Sequence, residues 1–460
     1  MEKIYNNNIK ASFRDRCGFL FYKNGVLLRQ INNSYKDEYD HLMNSGLYQA
    51  LVKKNLLIPH EEIQDTAYHG EVYRIIRPER VPFISYPYEW CFSQLKDASL
   101  VTLKIQRIAL GYGMSLKDSS AYNIQFRNNK PLLIDTLSFE KYEEGRPWAA
   151  YRQFCQHFLG PLALMSYTDV RLNQLLRIYI DGIPLDLVSA LLPFGTHFKF
   201  STFLHIHIHA KSQSYFADKA IKVKDSKTSR LSLLGLIGSL ESAVKALRWK
   251  VKNTQWGDYY DKASYTIEEF ELKKRIVRGF IEKIGPKSVW DFGANVGVFS
   301  RIYGERNIPT VSFDVDPACV EKNYLECIRN NEINILPLFL DLTNPSPAIG
   351  WENEERMSLF ERFHPNNLIL ALALIHHLAI SNNLPFERIA VFFRRLCNAL
   401  IIEFVPKDDP QVQRLLMNRK DIFPDYTQEA FEKWFGKYFS IKESTELLTC
   451  GRTLYLMQGK

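Results

Sequence analysis

The chain has 460 residues, enough for two or three domains at roughly 100–200 residues each. Apolar residues make up 46% and charged residues 24%, which excludes disorder, collagen and coiled coil as the main state. The net charge of +8 is uneven, because Lys211–Ser232 carries six Lys/Arg against two Asp, a run that reads as a solvated linker or helix face and comes with no clear nucleic-acid motif.

No stretch reaches the ~18–20 uninterrupted apolar residues of a membrane helix; the nearest are Leu231–Leu240 and Leu368–Ile380, the second broken by His376 and His377. The opening MEKIYNNNIK lacks the apolar core of a signal peptide, so a cytoplasmic protein with no transmembrane segment is expected. The seven cysteines are odd in number, scattered, and never spaced C-x-x-C. That pattern predicts buried reduced thiols rather than disulfides or a zinc ribbon, and no metal is expected.

Taken in chain order, the first basic strand residue is Arg29, in Val26-Leu27-Leu28-Arg29, with Glu38 on the following helix-like stretch as its candidate partner. Leu95–Gly111 reads as an amphipathic helix, followed by Leu116-Lys117-Asp118-Ser119-Ser120-Ala121-Tyr122-Asn123, a short hairpin, and Leu132-Leu133-Ile134-Asp135. An Asp, four residues, an Asn, and an Asp closing a strand 12 residues later resembles the catalytic and metal loops of protein-kinase-like phosphotransferases. The resemblance gives Asp118 the substrate hydroxyl proton and gives Asn123 and Asp135 the magnesium of Mg-ATP. Leu116-Lys117 replaces His-Arg, Thr136-Leu137 replaces Phe-Gly, and no glycine-rich phosphate loop precedes Arg29. Both an active phosphotransferase and a degenerate module that binds a nucleotide, a glycan or a protein stay open. Asp118 and Asn123 also suit plain capping and turning of a loop. His205, His207 and His209 alternate, so a strand would put them on one face.

Leu231–Val251 has apolar residues at helical spacing with cations toward its end. From Lys287 onward strands and helices alternate, which argues for a parallel sheet with covering helices. The strands read as Ser288–Phe292, Thr310–Asp314, Ile335–Leu340, Leu368–Ala373 and Ala399–Val405, with Thr453–Met457 as an added edge strand; helices read at Val296–Arg306, Pro317–Asn331, Glu354–Phe363 and Leu384–Asn398. A doubly wound domain binds ligands beyond the carboxyl ends of its strands.

The first strand runs into Asp291-Phe292-Gly293-Ala294-Asn295-Val296-Gly297, a turn whose small residues let a ligand approach the backbone. The second ends in Asp314, 23 residues after Asp291, and the third in Phe339-Leu340-Asp341. An acid about 20 residues on suits a ribose. Helix capping would explain one or two such acids but not three in a row. The pattern resembles the class I S-adenosylmethionine-dependent methyltransferases and lacks the G-x-G-x-x-G of a dinucleotide site. The resemblance implies an S-adenosyl-L-methionine cofactor held by Asp291, Gly293, Ala294, Asn295 and Gly297 at the methionyl end. Asp314 then falls at the ribose and Asp341 near the adenine, with Asp316 and Leu342 also in the cofactor-binding set.

The fourth strand leads into Ala371-Leu372-Ala373-Leu374-Ile375-His376-His377-Leu378, where methyltransferases face their acceptor. The Asn/Asp-Pro-Pro-Tyr/Phe of amino-methylating enzymes is absent here, and Asn344-Pro345-Ser346-Pro347 follows the wrong strand. His376 or His377 is the candidate catalytic base for a hydroxyl, against an equal reading as structural histidines. Glu403 is a weaker acceptor-side candidate. Trp256, Tyr259, Tyr260 and Tyr265, just before the domain's first helix, are candidates for an aromatic lid over the cofactor cation, against ordinary packing.

Across its length, through PFISYPYEW, LKDSSAYNIQF, IDTLSFE, NPSPAIGW, LALALIHHL and EFVPKDDPQVQRLL, the sequence is similar to methyltransferases of bacterial nodulation and surface-polysaccharide gene neighbourhoods. The expected architecture is α/β: a kinase-like α+β domain over 1–210, a basic linker and connecting helix over 211–250, and a Rossmann-like methyltransferase domain over 251–460. The expected activity is methyl transfer to a hydroxyl of a glycan, a lipid-linked saccharide or another small acceptor. The alternative makes the front half a phosphotransferase or nucleotide-binding scaffold, with the methyltransferase domain serving a protein or RNA. Oligomeric state is not legible.

Overall fold

The computed structural model describes residues 8–64, 72–211, 228–251, 267–362, 367–417, 420–447 and 450–460. The chain divides into two compact units, Met1–Lys250 with Ala348–Arg356, and Val251–Pro347 with Met357–Lys460.

In the first unit β1 (Gly18–Lys23), β2 (Val26–Asn32), β3 (His60–Ile63) and β4 (Val72–Pro78) form an antiparallel sheet in the order β1-β2-β4-β3. Asn24 and Gly25, both at positive φ, close the first hairpin, because a two-residue turn matched to strand twist needs left-handed backbone. Helix α1 (Lys36–Asn44) lays Tyr39 on this sheet in a core with Ile31, Tyr35, Ile76 and Leu137. Helix α2 (Phe92–Gly111) begins earlier than its apolar stripe suggests, because Gln94 folds back to accept the amide of Cys91 at its start. The small antiparallel pairs β5 (Met114–Leu116) with β8 (Phe139–Lys141), and β6 (Ile124–Arg127) with β7 (Lys130–Leu133), follow.

Helix α3 (Arg230–Ala246), read from sequence as a connector, is part of this unit. Arg107 donates to Glu241 across 2.8 Å, and Lys96 donates to the carbonyl of Leu247 across 2.8 Å. The alternating histidines are not on a strand, for Phe203–Ile208 is a π-helical turn. His205 bonds Tyr151 and Ser239, and His207 bonds Ser189 and Thr196, so hydroxyls engage both nitrogens of each ring.

Among its described residues the second unit has α4 (Ile267–Ile284) and carries a seven-stranded sheet. Its strands are β9 (Ser288–Phe292), β10 (Thr310–Asp314), β11 (Ile335–Phe339), β12 (Asn367–Ala371), β13 (Ala399–Phe404), β14 (Phe439–Leu447) and β15 (Arg452–Gly459). The order is β11-β10-β9-β12-β13-β15-β14; the first five are parallel and β15 enters antiparallel between β13 and β14. This is the Rossmann-like arrangement expected of the class I methyltransferase resemblance. β10 and β13 are buried throughout, as parallel strands covered on both faces must be. Helices α5 (Val298–Gly304), α6 (Pro317–Arg329) and α7 (Phe386–Leu396) supply the cover. Helix α6 starts where Asp316 accepts the amide of Ala318 and Pro317 needs no partner.

Two expectations need correction. The segment read as an edge strand is interior, and the edge is β14, whose exposed face of Lys and Glu hides its strand signal while guarding an unpaired rim. The helix expected from Glu354 does not form over the described residues to Arg362. Positive φ at Gly350, Glu352 and Asn353 turns the chain, and Glu355 is taken by the amide of Trp351 and, within the first unit, by Arg14. Among the described residues no helix is long and apolar enough to cross a membrane.

Candidate functional site

The carboxyl ends of β9, β10 and β11 open onto a cavity of about 460 Å³ in the second unit. It gathers Asp291, Gly293, Ala294, Asn295, Asp314, Asp341 and Leu342 from the sequence-derived cofactor set. Gly297 and Asp316 are not among its lining residues.

The bend after β9 is fixed by its neighbours. The amides of Gly293 and Ala294 both donate to the carbonyl of Phe313 at 3.0 Å, and the amide of Asn295 donates to Asp314 Oδ2 at 2.7 Å. Gly293 and Gly297 both sit at positive φ. At Gly293 an added Cβ would meet nothing closer than Leu374 at 3.5 Å, so this residue keeps backbone close to cavity space. At Gly297 a Cβ would collide with Asn323 at 2.5 Å, so that glycine serves the packing of α5 on α6 rather than the wall. Asp316 holds the start of α6 through Oδ1, with Oδ2 buried and unpartnered.

The three strand-end acids differ in environment. Asp291 is buried, accepts Ser300 Oγ at 2.6 Å, and is pushed up to about 7 chiefly by burial, with the charge of Asp314 adding to it. Burial pushes Asp314 up to about 6, opposed by the amides of Asp316 and Asn295. Asp341 is less enclosed; its Oδ1 accepts the amide of Thr343 at 2.8 Å and its hydroxyl at 2.6 Å.

Past β12, His377 lines the cavity and His376 does not. The rings touch, with centroids 4.1 Å apart. Burial lowers His377 to about 4, so at neutral pH its imidazole is uncharged and able to accept a proton. His376 is buried, driven well below the usual histidine range by burial, and its Nδ1 has no hydrogen-bond partner. Glu403 is fully buried and is not a lining residue. The aromatic lid candidates lie outside the described residues.

Sequence reading missed Lys273, a cation on the cavity wall. Its Nζ lies 2.7 Å from Glu403 Oε2, and burial pulls its pKa down while Glu403 opposes. Arg452 extends the network, with Nε 2.8 Å from Asp409 Oδ2 and Nη1 3.9 Å from Glu403 Oε1. A signal existed: Phe270, Val277, Phe280 and Ile281 line the apolar face of α4, and Lys273 interrupts it.

In the first unit the kinase-like residues come together around Asp135. Arg29 Nη1 lies 2.6 Å from Asp135 and Nη2 lies 2.7 Å from Asp15, so the partner expected in Glu38 is supplied by these two acids. Asp135 also accepts the amide of Leu137 and the hydroxyl of Ser138, while Asn123 donates to that hydroxyl at 3.4 Å. Asp118 accepts the amide of Ser120 and Gln153 Nε2, and is raised by burial and then by the charge of Asp135. Among the described residues no cluster of three or more His, Cys, Asp or Glu could hold a metal ion.

No family model matches the chain. The nodulation protein NoeA of Rhizobium meliloti (strain 1021) is 32% identical over 459 residues, spanning 98% of this chain and 96% of that one. Among solved structures, one described as the bifunctional kinase-methyltransferase WbdD matches 48% of this chain and 46% of its own at 14% identity and TM-score 0.31. The match therefore spans about half of WbdD. Magnesium protoporphyrin IX methyltransferase (ChlM) from Synechocystis PCC 6803, with bound SAH, matches 44% of this chain and 94% of its own at 13% identity and TM-score 0.31. At such scores the fold assignment rests on the strand order itself.

Proposed function

The chain belongs to the family of the nodulation protein NoeA, and from that premise and the cavity's chemistry we propose that it is an S-adenosyl-L-methionine-dependent methyltransferase. The observation that carries this reading is the convergence of Asp291, Asp314 and Asp341, with the bend at Gly293, on one cavity at the strand ends. Its volume of about 460 Å³ lies within the ~300–1,000 Å³ of small-molecule sites, and the Cβ-free Gly293 on its wall suits a ligand lying against backbone.

In this reading Asp314 accepts the ribose hydroxyls, Asp341 and Leu342 border the adenine, and Asp291 with the Gly293–Asn295 backbone holds the methionyl end. S-adenosyl-L-methionine, when bound, supplies a methyl group on a sulfonium already activated for transfer. The protein's part is alignment and exclusion of water, so a cavity wall of Phe292, Leu372 and Leu378 contributes as much as any charged group. His377, uncharged and on that wall, takes the proton of a hydroxyl acceptor. Its low basicity keeps this contribution modest, so positioning carries most of the rate. The acceptor is a hydroxyl of a glycan, a lipid-linked saccharide or another small molecule.

Calorimetric titration with S-adenosylhomocysteine tests the reading. Binding by the full chain and its loss in Asp314→Ala are expected; absence of binding by the parent overturns it.

The engagement of Asp135 by Arg29, Leu137 and Ser138 favours a second reading for the first unit, as a binding scaffold rather than a phosphotransferase. A phosphate-transfer assay with Mg-ATP and full-length protein bears on it; turnover lost in Asp118→Ala would restore the enzyme reading.

A further inference from the structure

Folded chains bury phenylalanine, and this one does so at most of the described positions, yet one segment of the first unit does the opposite. Phe194, Phe198 and Phe200 are 76%, 80% and 74% exposed. Phe203, Leu204, Ile208 and Leu191 beside them are also exposed. Four of the rings touch, for Phe194 lies 5.7 Å from Phe198 edge-on and His197 reaches Phe194 at 5.5 Å and Phe203 at 6.4 Å, with Phe200 two residues beyond Phe198 in sequence. Three such rings present on the order of 400 Å² of apolar surface, at the level where a patch on a monomer marks a contact site.

Charge selects the partner. From Leu187 to Ala217 the sequence contains no Asp or Glu. Lys199 stands between Phe198 and Phe200, and Lys211 is exposed on the helical residues that follow. A protein interface of this size would set hydrogen-bonding and mixed-charge groups around its apolar centre. Exposed aromatics flanking a lysine, in a stretch of sequence free of acid, match a membrane interface, where rings enter the acyl boundary and ammonium groups meet anionic headgroups.

We propose that the Phe194–Ile208 surface docks the protein on an anionic lipid bilayer as a peripheral contact. This goes beyond the methyl-transfer reading and does not depend on it, because none of these residues lines the cofactor cavity.

Sedimentation of the full-length protein with vesicles tests the proposal, comparing phosphatidylcholine alone with phosphatidylcholine mixed with phosphatidylglycerol. The expected result is binding to the anionic vesicles that weakens as salt rises. It should fall roughly tenfold or more in the triple variant Phe194→Ser, Phe198→Ser, Phe200→Ser, and clearly in Lys199→Glu, since each ring and each cation adds to partitioning. All four side chains are off the core, so the variants should keep the parent's melting temperature. No binding to anionic vesicles, or binding unchanged in both variants, overturns the proposal. Light scattering after size exclusion supplies the rival outcome: a dimer that the triple variant dissociates, without vesicle binding, assigns the patch to a second copy of the chain instead.

Discussion

Lys273 Nζ and Glu403 Oε2 lie 2.7 Å apart at full burial, and the same carboxylate oxygen accepts the amide of Ala373 at 2.6 Å. Ala373 holds a positive φ of 48°, strained for a residue with a Cβ, at the point where the chain leaves β12 along the cavity wall. The ion pair thus fixes one side of the site through a backbone hydrogen bond to Glu403, while Lys273 lines the cavity itself. Removing one member of such a pair strands the other, at a cost of about 3–5 kcal/mol. Glu403→Gln should lower unfolding stability by that order in denaturant melts. The double variant Lys273→Met, Glu403→Gln should regain more than half of the loss, because it leaves no buried lysine without a carboxylate. Equal losses in the single and double variants would show that the pair is not the source.

Burial sets the acids of the cavity against the pH of the medium. Asp291 and Asp314 stand at about 7 and about 6, against about 3.9 in an unfolded chain. The folded state therefore holds protons that the unfolded state releases. The stability this adds is complete below about pH 4 and is lost as pH rises through 6 and 7. In Asp291→Asn the decline of ligand-free melting temperature across that window should flatten. On the proposed reading cofactor affinity should run the other way, since an Asp314 that holds the ribose would accept its hydroxyls best when ionised. S-adenosylhomocysteine should bind roughly tenfold more weakly for each pH unit below about 6. A flat calorimetric profile in the parent would remove Asp314 from the ribose.

The left-handed backbone at Gly297, with φ 80°, and the Asn323 side chain 2.5 Å from where a Cβ would stand, act together against substitution. Asn323 is buried and donates to Ser312 Oγ at 2.9 Å, so it cannot swing aside without breaking that bond. Gly297→Ala should cost about 2 kcal/mol or more from strain and clash combined. Gly293→Ala, at similar φ but meeting only ordinary contact with Leu374 at 3.5 Å, should cost less stability and more S-adenosylhomocysteine affinity. Thermal melts and titration of the two variants separate packing glycine from cavity glycine; identical profiles would erase the distinction.

Much of the second unit was legible because its strands announce themselves twice, by apolar runs and by what ends them. Ser288–Phe292 and Thr310–Asp314 were read to the residue, since each closes on an acid or a glycine bend. β14 was illegible for the opposite reason: with Lys442 and Glu446 exposed along it, its signal lies in pairing to β15. Three strand-end acids gathered as their spacing implied, whereas Asp316 showed how an acid in the same sequence context can be spent on a helix cap. Lys273 left a local trace on the apolar face of α4, but its pairing was hidden because Glu403 lies 130 residues away. No local pattern carries a pairing of that separation.

The guanidinium of Arg29 stands between Asp15 and Asp135, at 2.7 and 2.6 Å, where the kinase-like resemblance places a metal-binding carboxylate. Asp135 is further engaged by the amide of Leu137 and the hydroxyl of Ser138, so a cation arriving from solution must compete with one already in place. Magnesium keeps its hydration shell reluctantly exchanged and needs oxygen ligands free to turn toward it. Mg²⁺ without nucleotide should therefore leave the melting temperature of the parent unchanged. Arg29→Met removes the internal cation while retaining apolar bulk, leaving Asp15 and Asp135 facing one another uncompensated. That variant should melt lower by an amount on the order of 2–3 kcal/mol in stability, and millimolar Mg²⁺ should restore part of the loss. Stabilisation of the parent by Mg²⁺ alone would show that Asp135 is open to metal, and the scaffold reading of the first unit would give way to a phosphotransferase.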